Sequence, residues 1–478
     1  MRDTIARIHS AKLIGIDAAP VTVEAQMTPG IGIHLVGLAD NAVKESLLRT
    51  VTAMQAKGYN IPNRKIVINL APADLRKHGS GYDLPIAMAL IAASGQEELG
   101  SEEDFVVAGE LGLDGSVRSV PGAVAIAALA AEKGLACILP SNDAPEAAAA
   151  FPGLQVYGVK DIADTLALLR GEACDHLLAE PKEEDVDTAF DLADVPCGDA
   201  TRRALEIAAA GGHNIILTGK PGCLKERCIL TLAGLLPDND KDTVMQMRKA
   251  ASACGRPYRA HPLRTPHWSA PLAALLGGGG DDIRPGEVTL AHGGVLAMYD
   301  IHSLPRATAE ALRVQLEDGE VTIARLRSKV TLPARFILAA TADDDAGALA
   351  RLNGNVMDHI DVQAYCQAVP EGTAREDSAT IRERVKAARR IQEKRYEGTD
   401  IRCNSELRRE DLEKYASLDD ECRDIAEKIF SRLGLSARAW SHMLRMARTI
   451  ADLAGERDIK PAHLAEAASF RFLDRKME

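Results

Sequence analysis

Apolar and polar positions alternate along "VTVEAQM" (21–27) and "GIHLVGL" (32–38), which predicts two strands with one buried face each. The period then lengthens. In "DNAVKESLLRTVTAMQAKG" (40–58) apolar residues recur every three or four positions, predicting a helix with Asp40 as its N-cap and Gly58 as its stop. Strand "RKIVINL", polar loop "APADLRKHGSGYD", helix "LPIAMALIAAS", strand "FVVAGEL", helix "GAVAIAALAAEKG", strand "ACILP" and helix "DIADTLALLRG" complete an α/β unit over 1–170. Periodicity lapses over 171–195, an acidic stretch containing Pro181, which reads as an interdomain linker. From 196 to 371 helix "ATRRALEIAAAGG" and strand "HNIIL" lead a second α/β series, which later includes "GGVLAMYD" and "RFILAATAD". Strands alternating with helices imply a parallel, doubly wound sheet. Residues 372–478 carry only helical periodicity. The fold class is therefore α/β multidomain, ending in a helical domain.

A length of 478 residues suits about three domains. Aromatics are only 4% of the chain, so the core must be built from Ala, Leu, Ile and Val. No apolar run approaches the ~20 residues a membrane helix needs, and the N-terminus lacks an apolar signal region. Nine scattered cysteines without a C-x-x-C pair fit buried, reduced thiols, so the expected location is cytoplasmic, away from membranes. Cys223 and Cys228 do not by themselves make a zinc site, and the spacing of His213, His267 and His292 matches no metal motif. No metal-ligating set is expected. A net charge of −12 argues against nonspecific duplex binding by the whole surface but leaves room for a local basic stripe.

The segment with the most chemical content is "LTGKPGCLKERCIL" (217–230), between an apolar strand and a helix. It has the outline of a phosphate-binding loop, G-x-x-x-x-G-K-[ST], whose glycines let backbone N–H groups reach phosphate while Lys and a hydroxyl serve phosphate and Mg²⁺. Gly219, Gly222 and Lys225 hold their places, whereas Leu224 and Glu226 occupy the second glycine and the hydroxyl position. About 75 residues further on, "GGVLAM" ends in Tyr299-Asp300, where such folds carry an acid.

Together with "INLAPADLRKHGSGYDLPIAMALIAASG", "RRALEIAAAGGHNIILTG", "RTPHWSAPLAALLGGGG" and "GLSARAWSHMLRMARTIADL", these residues resemble the ComM/YifB family of Mg-chelatase-like AAA+ ATPases over nearly the whole chain. The resemblance implies a Lon-C/ribosomal S5 domain 2-like N-terminal domain, a central AAA+ P-loop core and a C-terminal helical lid. In the first domain Gly81 falls at Lon's serine position, which argues against a protease built from Ser80 and Lys77. In the ATPase site the resemblance makes Gly219, Gly222, Lys225 and Glu226 the nucleotide loop, Asp300 the Walker B acid and Arg438 sensor 2. It also implies ATP and Mg²⁺ as cofactors, a hexameric ring and DNA as a partner. The departures are Leu224, Glu226, Tyr299, Ala342 at the sensor-1 asparagine and His359 at the arginine finger. The family's strand ends in Asp-Glu, so Tyr299 stands at the metal ligand and Asp300, one methylene shorter, at the base. A register shift that makes Asp300 the metal ligand puts Ile301 in place of the catalytic glutamate. The segment "TADDDAGALARLNGN" has no cysteine and so excludes the zinc loop of some relatives.

Three functions follow. The leading one is a non-hydrolysing scaffold or regulatory ring subunit linked to DNA processing. The others are an active ATP-driven hexamer promoting branch migration, and a partner subunit of an intact AAA+ paralogue. Whether the chain is still an enzyme stays open at this point, as does the binding of ATP.

Overall fold

The computed structural model describes residues 5–37, 41–182, 190–280, 283–325, 329–352, 354–369 and 375–474. Asp40, the expected N-cap, lies outside them. The helix it precedes, α1 (Asn41–Ala56), is present, and Gly58 leaves it with φ +88. The other main helices of the first unit are α2 (Asp83–Ser94) and α3 (Ala123–Lys133). Every residue of α2 from Asp83 to Ile91 is buried, as expected of a helix apolar on all sides.

These helices pack on one sheet of seven strands, β1 (Ala6–Ile14), β2 (Asp17–Thr28), β3 (Gly32–Val36), β4 (Lys65–Ala71), β5 (Phe105–Val107), β6 (Ala136–Pro140) and β7 (Val156–Val159). Their order is β3-β4-β2-β1-β5-β6-β7. The β1–β2 and β2–β4 pairs are antiparallel and the others parallel. Strands β1 and β7 and the short helix Ala144–Ala150 are additions to the elements the pattern predicts.

The central unit has the expected parallel sheet. Its strands are β8 (Ile215–Gly219), β9 (Leu263–Arg264), β10 (Val295–Met298), β11 (Ile337–Asp343) and β12 (Val362–Tyr365), in the order β9-β10-β11-β8-β12. All four pairings are parallel, so every strand presents its C-terminal end to the same edge. Helices α4 (Asp199–Gly211), α5 (Lys225–Leu235), α6 (Lys241–Ala253) and α7 (Arg306–Asp318) flank it.

The C-terminal region is helical, led by α8 (Ser378–Arg395) and α9 (Ala437–Leu453). One apolar cluster runs from Leu205, Ile215 and Val362 of the central unit to Val385 and Met443 of the helices, so the lid shares the core of the sheet it covers. The N-terminal unit docks on the central one through α3 and α6. The Gly122 N–H donates to the Ser252 carbonyl at 2.9 Å, and Arg248 meets Glu146 at 3.1 Å.

Candidate functional site

Strand β8 ends at Gly219, and α5 begins at Lys225; the loop between them lies at the C-terminal edge of the sheet, where open parallel sheets bind ligands. Gly219 is required by close approach, since a Cβ there would sit 2.6 Å from the Cys366 carbonyl oxygen and 2.8 Å from Cys223 Sγ. Gly222 is exposed with φ +84. Leu224 adopts φ +65, the left-handed conformation for which a glycine is expected. The backbone at this position is thus glycine-like despite the side chain.

Lys225 is 3% exposed. Its Nζ donates to the Gly219 carbonyl at 2.7 Å and to Asp343 Oδ1 at 2.8 Å. Burial pulls the Lys225 pKa down, but the Asp343 carboxylate more than reverses this and leaves it above its ordinary value. Glu226 sits in the first turn of α5. Burial, reinforced by the Glu226 charge, pushes the Tyr299 hydroxyl up to about 12.

Beyond β10, Asp300 also has a left-handed backbone, with φ +49, and its N–H donates to Thr341 Oγ1 at 3.1 Å. Asp300, His302 and Asp343 converge: one ligand atom from each lies within 4.8 Å of the others. His302 and Asp343 are residues the sequence reasoning missed. The position matched to the sensor-1 asparagine, Ala342, is fully buried in the apolar cluster with Leu338 and Ala340. Its neighbour Asp343 reaches the loop, because adjacent strand residues face opposite sides. Alternation along "AATAD" was the available signal. Ile301 is only 5% exposed and packs in the same cluster as Ala342.

The remaining expected residues lie elsewhere. Arg438 Nη1 donates to Asp358 Oδ2 at 2.6 Å, both side chains being half exposed. His359 turns inward to within 3.2 Å of Glu317, and burial lowers its pKa, which favours the neutral ring. In the first unit Lys77 donates to the Pro72 carbonyl and Ser80 to Glu110, so the two do not form a Ser–Lys pair. Cys223, Cys228 and Cys366 floor the loop as buried thiols, with Cys228 Sγ 3.9 Å from Cys366 Sγ.

Family models decide what this loop-and-acid arrangement belongs to. Residues 191–369 match the model for magnesium chelatase, subunit ChlI; residues 23–143 match that for subunit ChlI of Mg-chelatase, and 375–471 its C-terminal model. The chain belongs to the Mg-chelatase-like family of YifB and ComM. It is 36% identical over 519 residues to the uncharacterized protein YifB of Escherichia coli strain K12, covering 99% of this chain and 98% of that one. To the competence protein ComM of Haemophilus influenzae it is 33% identical over 509 residues, covering 99% of both chains.

The family implies ATP and Mg²⁺. The loop backbone and the buried Lys225 fit a phosphate group. The donor set does not fit Mg²⁺ as the motif would hold it: Glu226 replaces the hydroxyl ligand, and an imidazole, His302, joins the two carboxylates. Mg²⁺ favours oxygen donors with retained waters, whereas imidazole suits transition metals.

Proposed function

We propose that this Mg-chelatase-like AAA+ protein is a non-hydrolysing scaffold or regulatory subunit of a ring linked to DNA processing in the cytoplasm. The observation that carries the reading is the pair Tyr299-Asp300 followed by buried Ile301, which in either register lacks one of the two acids of the family's Asp-Glu. With Asp300 as the metal ligand, a hydrocarbon stands where the family polarises an attacking water; with Asp300 as the base, Tyr299 stands in the metal ligand's place. His359 supports the same conclusion, since a histidine turned toward Glu317 cannot supply the always-charged fork of an arginine finger. The division at residues 170, 195 and 371 would keep the three-part body of the family. The similarity to a competence protein of Haemophilus influenzae supports the DNA link.

A second reading, an active ATP-driven motor on DNA, is favoured by one observation. Asp343 brings a second carboxylate beside Asp300. An intact paralogue supplying arginine fingers in a mixed ring would serve either reading. Steady-state ATP hydrolysis, measured with and without DNA, separates them. The scaffold reading expects no turnover above that of Lys225→Ala; DNA-stimulated turnover abolished by Lys225→Ala would establish the motor.

A further inference from the structure

The opposite edge of the central sheet holds a cavity. Leu263 pairs with Val295 where β9 and β10 begin, so the residues just before them stand at the N-terminal edge, away from the phosphate loop. There a cavity of about 350 Å³ is lined by Arg256, Tyr258, Arg259, Arg264, Thr289 and His292, among others. That volume suits a small ligand.

Two of its lining side chains have unmet hydrogen-bonding needs. His292 is 2% exposed, and its Nδ1 accepts the Arg335 backbone N–H at 3.1 Å. That bond requires the proton of the neutral ring to lie on Nε2. Nε2 is buried and has no partner, so it is a donor without an acceptor. Burial, followed by the Arg402 charge and opposed by Asp240, holds the His292 pKa down at about 4, which keeps the ring neutral. Thr289 is 1% exposed, and its Oγ1 is likewise buried and unpartnered. A buried polar group without a partner is destabilising unless something pairs with it.

The charged lining has the same polarity. Arg264 makes a two-pronged pair with Glu287, at 2.6 and 2.9 Å, which accounts for that carboxylate. Arg256 reaches Glu287 only at 3.8 Å and its side chain is 45% exposed. The lining therefore includes an N–H, a hydroxyl and the Arg256 guanidinium, all able to donate, and a ligand that meets them is rich in acceptors and negatively charged.

We infer that this cavity binds a small phosphorylated molecule, its phosphate held by Arg256, Thr289 and His292. The site is separate from the nucleotide loop and does not depend on whether ATP is hydrolysed. Its concave shape favours a small ester over a nucleic-acid backbone.

The test is thermal unfolding and calorimetric titration of the full chain with inorganic phosphate and a panel of sugar phosphates. A single-stranded oligonucleotide serves as comparator. The expected result is a dissociation constant below about 1 mM for at least one ester, weakened about tenfold or more in the surface variant Arg256→Ala. Thr289→Val is the sharper variant. It removes an unsatisfied hydroxyl, so the ligand-free protein should melt no lower than wild type while losing the ligand-induced rise in melting temperature. A lower melting temperature in Thr289→Val without ligand would mean that the hydroxyl serves only a structural water, and would overturn the inference. So would the absence of any phosphate- or ester-dependent shift at 10 mM, or binding that Arg256→Ala leaves unchanged. Salt-sensitive oligonucleotide binding lost in Arg256→Ala, with no response to the esters, would assign the surface to nucleic acid instead. Lys225→Ala should leave ester binding intact, which keeps this outcome distinct from that of the nucleotide loop.

Discussion

The two edges of the central sheet have been treated differently. At the part of the N-terminal edge where β8 and β12 meet the lid, the polar groups close on one another. The Asn214 amide donates to the His359 carbonyl at 2.8 Å, and its oxygen accepts the Leu338 N–H at 2.8 Å. His442 Nδ1 bonds Asp361, His213 Nδ1 lies 3.3 Å from the same carboxylate, and His213 Nε2 meets Thr449 at 2.7 Å. At the C-terminal edge Leu224 and Asp300 hold left-handed conformations, and the helix after the loop carries Glu226 in its first turn. A scaffold that needs its lid attached restrains the first edge through packing and hydrogen bonds. Only turnover restrains the second, and that restraint has gone under the scaffold reading.

The comparison is broken most directly at Asp361. Burial pushes its carboxyl upward, but His442 and then His213 more than reverse this and hold it well below the usual carboxylate range. Asp361→Ala strands two buried imidazoles and should destabilise the lid junction by about 3–5 kcal/mol, read as earlier thermal unfolding and faster proteolysis within α9. A change below about 1 kcal/mol would mean that the network is ornamental and that the two edges are equally free to vary.

The other edge should respond by gaining function. Like charges ~4 Å apart repel by about 4 kcal/mol at an effective dielectric near 20, which is about three decades of affinity. The double change Leu224→Gly with Glu226→Thr should therefore tighten ATP binding by up to about three decades in equilibrium titrations. Unchanged affinity would locate the defect elsewhere, for example in the Lys225–Asp343 pair.

The extent to which each edge could be read from sequence follows from the same contrast. Scaffold elements such as α1, α2 and the parallel strands show in local periodicity, and the family shows in long strings such as "RRALEIAAAGGHNIIL". Strand β1 escaped because its burial alternates only in part, so period two is faint. At the site, the altered letters 224 and 226 were legible, but their consequence was not: the leucine takes the glycine conformation instead of abolishing the loop. The grouping of Asp300 and His302 with Asp343 crosses two strands, and a substitution at Ala342 conceals the acid one residue later. A pattern along one strand does not report which residue of the next strand lies beside it.

Acid should probe the N-terminal edge more gently. Folded His292 holds a pKa of about 4 against an ordinary 6.5, so the unfolded chain takes up its proton first as pH falls. Its contribution is complete above pH 6.5 and is lost progressively down to about pH 4, by about 3 kcal/mol in all. Denaturant unfolding of wild type and His292→Gln at pH 7 and pH 4.5 should show a smaller pH-dependent loss in the variant; parallel losses would assign the acid sensitivity to other groups.

The smallest expected effect asks whether the loop conformation is imposed on Leu224 or intrinsic to the segment. A non-glycine residue in the left-handed region costs roughly 1–2 kcal/mol, which the surrounding strand and helix must sustain. Leu224→Gly removes that strain and forfeits the contacts of a half-buried side chain, so stability should rise by no more than about 1 kcal/mol. A rise would mean that β8 and α5 hold the loop in shape against its own residue, so that the phosphate-binding backbone survives as a consequence of the scaffold. A clear loss would mean that the leucine has become part of the packing, and that the C-terminal edge has acquired structural restraints of its own.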